Sequence, residues 1–209
     1  MDNRSTKQKI LDAALDLFST QGFDATSVSQ IADEVGIRKA SMYSHFSSKQ
    51  DILESLMQEI MKQYEWHSIF SENNREKFSF LTDEKEFNVN SVTQAIIGQI
   101  RYILHEPQIA KARKMLTIEQ FRNPTLAKVQ TKQNYTNVMN YFVNLIKLLI
   151  QRQKLSDNDA EIMAAQLCLP VSVWLNLCDR EPERENEVMG LIERHVQQFF
   201  DVYFVDDKM

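Results

Sequence analysis

The stretch Arg38–Leu53, RKASMYSHFSSKQDIL, decides how this chain is read. It carries Arg38, Lys39 and Lys49, a row of hydroxyl residues and His45, and no acid interrupts it before Asp51. Projected on a helix at about 100° per residue, Met42, Tyr43 and Phe46 share an inner arc, and Ser41, Ser44 and His45 face the other way. Ala40 lies on the flank, where a short side chain lets another surface come close. Short serines suit the major groove, because Ser can bond any base edge. Cations and hydroxyls at the margins hold phosphates. Other readings of the same residues are a catalytic cluster of His45 with Tyr43 or a serine, and the plain polar face of an amphipathic helix.

The residues on either side favour the duplex. Upstream, Ile10, Leu11, Ala14, Leu15 and Phe18 recur at helical spacing, which predicts a first helix from about Thr6 to Gln21. Gly22 stands where a left-handed helix C-terminal cap is wanted, and Phe23 where such a motif folds an apolar residue back. Thr26 or Ser27 is placed to cap a short second helix with Ile31, Ala32 and Val35 inward, and Gly36 ends it. The third helix then runs from about Lys39 to Phe46 or Ser47. Helices two and three, joined by a tight glycine-containing turn, make a helix-turn-helix candidate. The amino terminus of the second helix, at Thr26 and Ser27, adds amide donors for a phosphate. Ser48 looks like the cap of a fourth helix, with apolar positions from Ile52 to Tyr64.

Composition bounds the rest. The net charge is −5, yet basic and acidic side chains balance over residues 1–50, so the remainder carries the whole excess of acid. That polarity says where an anionic partner docks. Gly and Pro are scarce, at 4 each, which favours long helices over a turn-rich β fold. No unbroken apolar run approaches the about 18 residues needed to span a bilayer, and the first ten residues lack the apolar core of a signal peptide. The expectation is a cytoplasmic protein that does not engage a membrane. Cys168 and Cys178 fall on one helix about 15 Å apart, too far for a disulfide, and read as core residues. No metal-spaced His/Cys set, Ser-His-Asp constellation or Gly-rich phosphate loop appears, so neither an enzyme nor a bound cofactor or metal is expected.

Beyond Ser71 a polar stretch to Asn90 reads as a loop or irregular short helix. Helical patterns resume at about 91–105, 107–122 and 125–153. A helix capped by Ser156 or Asp157 reaches about Cys178 with Pro170 as a kink, and Pro182 opens a last helix. The expected fold is all-α with about nine helices. A helix-turn-helix domain over residues 1–48 precedes an effector-binding and dimerisation domain over 49–209.

The run from Ile10 to Met57, through AALDLFSTQGF, TSVSQIADEVGI and YSHFSSKQDIL, resembles the DNA-binding domain of the tetracycline-repressor (TetR) family of bacterial transcription regulators. The resemblance implies a homodimeric repressor on a palindromic double-stranded operator. It implies that Ser41 and Ser44 approach bases, that Tyr43 and His45 touch phosphate or a base edge, and that Lys49 pins a phosphate. Thr26, Ser27 and Ser29 would meet the backbone or groove, and Arg38 and Lys39 would read guanine. Ala40 stands where glycine is common in the family, and Met42 where leucine is. In such proteins a small effector bound by the C-terminal helices respaces the two heads and releases DNA. Candidates for that pocket are Trp66, Phe70, Tyr102, Met115, Phe121, Tyr135, Met139, Phe142 and Trp174, with His67 and His105 on its polar side. Their character suggests a largely apolar effector. Leu167, Val171, Trp174, Val196, Phe199, Phe200 and Tyr203 on the last two helices are the expected dimer interface. A helical protein-binding adaptor is the alternative of another class.

Overall fold

A computed structural model describes residues 4–68 and 88–205. Phe70 and most of the polar stretch expected as a loop lie outside the described residues. Among those described the chain is helical, with one isolated bridge between Leu155 and Phe204. The helices are α1 (Thr6–Gln21), α2 (Val28–Val35), α3 (Lys39–Met42), α4 (Lys49–His67), α5 (Val89–His105), α6 (Pro107–Glu119), α7 (Pro124–Thr131), α8 (Asn137–Gln151), α9 (Ala160–Arg180) and α10 (Glu185–Tyr203). The segment expected as one helix over 125–153 is α7 and α8 joined by a π turn, Lys132–Thr136, in unbroken helical succession. A π turn carries one more residue than the α repeat, which a pattern of apolar spacing does not reveal.

The chain forms two compact units, residues 1–65 with 106–130, and residues 66–105 with 131–209. The boundary expected at 48/49 reflects the motif. The contacts divide the chain elsewhere, because α6 packs on α1 and so belongs with the first unit. In that unit Ile10, Leu11, Ala14, Leu15 and Phe18 bury one face of α1, and Ile31, Ala32, Met42, Phe46, Ile52 and Leu53 are buried with them. Burial of side chains of this size stabilises by about 1.5–3 kcal/mol each, before the entropy of ordering them is charged. The caps come from the residues that the sequence marks. Ser5 Oγ accepts the N–H of Gln8, and Gly22 follows α1 at φ 88°.

In the second unit the core is built from α5, α8, α9 and α10 around Ile96, Ile146, Met163, Ala164, Val188, Ile192 and Val196. The α8–α9 connection is tied to the end of α10, where Ser156 N–H donates to Tyr203 O at 2.8 Å and Val205 N–H to Lys154 O at 3.0 Å. Asp159 caps α9 by accepting the N–H groups of Glu161 and Ile162, two residues beyond the expected cap. Cys168 and Cys178 are buried, free thiols, and burial pushes the Cys168 thiol up to about 11. α9 runs on past Pro170 to Arg180.

Four residues expected at a dimer interface are buried within the protomer. Leu167, Val196, Phe199 and Phe200 are buried in the core of the second unit, because those stripes of α9 and α10 face inward. Val171, Trp174 and Tyr203 are half-buried against the same core, with Tyr203 OH donating to Gln166 Oε1 at 2.7 Å. The outward apolar residues are others: Ile162 and Val173 on α9 and Val202 on α10 are exposed. By length and average composition α9 passes the test for a membrane-crossing helix, but Gln166, Ser172 and Asn176 interrupt its apolar run and one face is packed in the protein.

Candidate nucleic-acid interface

The helix-turn-helix is assembled by short-range bonds. Ser27 Oγ accepts the N–H of Gln30 at 3.2 Å while Gln30 Oε1 accepts the N–H of Ser27 at 2.8 Å, a reciprocal capping box. Gly36 ends α2 in the left-handed region, φ 76° and ψ 31°, and Ile37 N–H returns to Ala32 O at 3.0 Å. That closure turns the chain into α3 within a few residues, and glycine adopts such a φ without cost.

α3 is shorter than the pattern predicts. It is regular from Lys39 to Met42, then tightens. Ser44 N–H donates to Ser41 O, His45 N–H to Met42 O at 2.9 Å, and the Ser44 hydroxyl to Ser41 O at 2.7 Å. Bonds of this i to i−3 kind rotate the following residues faster than an α-helix does. Met42 and Phe46 stay buried, but Tyr43, expected on the inner arc, is exposed. Arg38, Lys39, Ala40, Ser41, Tyr43, Ser44 and His45 are all exposed, with only Met42 buried among them. Ser27 is also exposed at the start of α2, and Ser29 is half-buried on its first turn.

Two expected contacts have other partners. Thr26 is buried, and its hydroxyl donates to Gly22 O at 2.8 Å and accepts from Gln21 Nε2 at 3.1 Å. Its side chain closes the α1–α2 turn and does not face outward. Lys49 was expected to hold a phosphate. Its Nζ donates to Phe23 O at 2.6 Å and Thr26 O at 2.8 Å, and lies 4.2 Å from the centre of the Phe23 ring. It braces the turn. Sequence reasoning missed this role because the acceptors are backbone carbonyls more than twenty residues away.

The start of α4 closes on itself. Ser48 Oγ accepts the N–H of Asp51 at 3.1 Å, and Asp51 Oδ2 accepts the N–H of Ser47 at 2.8 Å and its hydroxyl at 3.0 Å. Those bonds, the backbone one foremost, hold the Asp51 carboxyl below its ordinary range.

The expected pocket residues fall in both compact units. Met115 is in the core of the first unit, and Phe121 of the same unit is 89% exposed. In the second unit Trp66 is 73% exposed, and Tyr135, within the π turn, is exposed as well. Phe142 is core, with Met139 and Trp174 half-buried against it. Tyr102 stacks on His67 at 5.0 Å, Trp174 meets His195 edge-on at 5.3 Å, and the exposed His105 pairs with Glu185 at 2.8 Å. An open depression of about 320 Å³ beside Val89, Gln197, Phe200, Asp201 and Phe204 includes none of the expected pocket residues.

The comparisons agree with the helix-turn-helix geometry. Residues 10–56 match the sequence profile of bacterial regulatory proteins of the tetR family. The chain is 52% identical over 48 residues to the biofilm operon icaADBC HTH-type negative transcriptional regulator IcaR of Staphylococcus aureus strain Newman. That match covers 23% of this chain and about a quarter, 26%, of IcaR. The fold is shared at full length. A Mesorhizobium loti protein assigned to the TetR family superimposes with a TM-score of 0.69 at 20% identity, over 96% of this chain and 97% of that one. SmeT, the repressor of the Stenotrophomonas maltophilia multidrug efflux pump SmeDEF, gives 0.66 at 18% identity over 99% and 94%. The SmeT–triclosan complex gives 0.66 at 20% over 98% and 94%. Residues 10–56 therefore carry a tetR-type domain, set in an all-helical fold that the chain shares along its length with these solved proteins.

Proposed function

We propose that this protein is a homodimeric repressor that binds a palindromic operator in the cytoplasm and leaves it when a small, largely apolar effector binds. The observation that carries the reading is the exposed run Arg38–His45, cationic and hydroxyl-rich, standing on buried Met42 and Phe46 with no acid before Asp51. In the complex Ser41 and Ser44 approach base edges, Arg38 and Lys39 reach guanine, and Tyr43 and His45 meet phosphate or a base edge. Ser27 and Ser29 at the start of α2 hold a phosphate on the helix amino terminus. Repression follows the negative regulator IcaR, with which the reading domain shares half its residues.

The second copy docks on the outer faces of α9 and α10. Large apolar side chains left exposed on a packed helix mark a face where a partner can dock. Ile162 and Val173 of α9 and Val202 of α10 are the exposed apolar side chains there, and Val173 is 63% exposed. An isologous pairing of α9 and α10 with their copies makes a four-helix bundle. An apolar effector is supported by the triclosan bound to SmeT, a protein of the same fold. The half-buried Met139, Tyr102 and Trp174 of the second unit are suited to contact it. The test is to select duplexes from a random-sequence library with the full chain. Selection of an inverted repeat supports the reading, and failure to enrich any sequence contradicts it.

A further inference from the structure

The α1–α2 turn is also held from its other side. Glu119, the last residue of α6, is 1% exposed, and its Oε1 accepts the backbone N–H of Phe23 at 2.8 Å. A carboxylate at this place runs against local physics, because the C-terminal end of a helix repels a negative side chain. A residue that is locally unfavourable points to the contact it makes. The approach leaves no room for a side chain at Gly22. A Cβ there would lie 2.9 Å from Glu119 Oε1, and the φ of +88° is one that side-chain-bearing residues rarely adopt.

Phe23 is thereby gripped on both sides of its backbone. Glu119 takes its N–H, Lys49 Nζ takes its carbonyl oxygen at 2.6 Å, and its ring rests 5.2 Å from that of Phe18. Lys49 also takes the carbonyl of Thr26, the residue before the α2 cap. Residues 23–26 are therefore tied at both ends, and Ser27 follows with no slack. A phosphate contact at Ser27 needs hydrogen-bond distance, which a few tenths of an ångström decides.

We propose that Glu119 is a positioning residue for DNA binding: it pins the α1–α2 turn to the end of α6 and so sets where the amino terminus of α2 meets the duplex. This rests on the DNA-binding reading above. α6 lies in the same compact unit as α1 and packs on it, so the pin joins two elements already in contact.

The test uses the full chain and a duplex that the unaltered protein selects from a random library. Glu119→Ala is expected to weaken binding by about tenfold or more at a temperature where the variant is as folded as the parent. Glu119→Gln keeps an acceptor oxygen and drops the charge, and recovers most of the loss. Hydrogen exchange at the Phe23 amide speeds up in the alanine variant and slows again in the glutamine one. If the alanine variant does not fold, Glu119→Asp, which keeps the charge but shortens the reach, is read in its place. A folded alanine or aspartate variant that binds within about twofold of the parent overturns the proposal. So does faster exchange at Phe23 with unchanged affinity, because the contact would then serve only the fold. A parent protein that selects no duplex overturns the DNA-binding reading, and this shows before any variant is made.

Discussion

Lys49 places its ammonium 2.6 Å from the carbonyl oxygen of Phe23, twenty-six positions earlier in the chain, and covers the ring of the same residue at 4.2 Å. The first cation of α4 is therefore engaged by the protein before any DNA arrives. Its place at the rim of a basic surface suggests a phosphate contact. Its geometry makes it a brace between the start of α4 and the turn that leads into α2.

The brace and a phosphate contact differ in salt dependence. Each phosphate neutralised adds about 0.9 to the slope of log affinity against log salt. A lysine that neutralises one phosphate takes about one contact from that slope when it is replaced by alanine. Lys49→Ala is expected to leave the slope as it is while lowering both affinity and stability, the latter by about 1 kcal/mol once partial exposure is allowed for. Titrations of the parent and of Lys49→Ala across a salt series check this. A slope reduced by about one contact in the variant would return Lys49 to the phosphates.

Asp51 makes the start of α4 sensitive to acid. Its carboxyl is held below the ordinary value of 3.8 by the N–H and hydroxyl of Ser47. A depressed folded-state value means that the carboxylate's contribution is complete above the unfolded value and is lost as pH falls through the folded one. Stability is thus expected to fall more steeply below about pH 4 in the parent than in Asp51→Asn. Thermal unfolding of both proteins between neutral pH and about pH 3 measures the difference, and parallel curves would contradict it.

Gln153 closes α8 at φ 57°, a left-handed conformation that favours glycine. The turn is fixed by Lys154 N–H donating to Leu149 O at 2.9 Å. Gln153→Gly relieves the steric cost and gives part of it back as unfolded-chain entropy. The expected gain is a few tenths to about 1 kcal/mol, read by denaturant unfolding. A loss of stability would show that the glutamine side chain contributes more than its backbone costs.

Val173 stands 63% exposed on the outer side of α9. Val173→Glu is expected to weaken dimerisation by at least about tenfold without unfolding the protomer, since a charge would be buried against its own copy. Light scattering with size exclusion separates dimer from monomer. A parent protein that is a monomer at micromolar concentration, or a variant that dimerises unchanged, contradicts the α9–α10 interface.

The reading domain was largely legible in the sequence because its signals are local. Ser27, Gly22, Gly36 and Ser48 stand at the caps they predict, and Met42 and Phe46 are buried as their spacing requires. Apolar spacing also marked α9 and α10, but it cannot say which of two apolar stripes faces inward. Phe200 and Val196 therefore went to the core, and Val173 and Val202 to the surface. The π turn at Lys132–Thr136 and the Glu119–Phe23 bond are tertiary facts with no periodic signature. Pocket residues were chosen by chemical type alone, which places Met115 and Phe121 in one compact unit and Tyr102 and Trp174 in the other.

The central claim is that the exposed run on α3 reads DNA sequence. Parallel selections from a random duplex library, with the parent protein and with Lys39→Ala and Ser41→Ala, test it directly. The account predicts an inverted repeat for the parent, and relaxed preference at one base position per half-site for each variant, of about 1–3 kcal/mol at that position. The account is contradicted if the parent enriches no sequence, or if both variants recover the parent's repeat with every base preference intact.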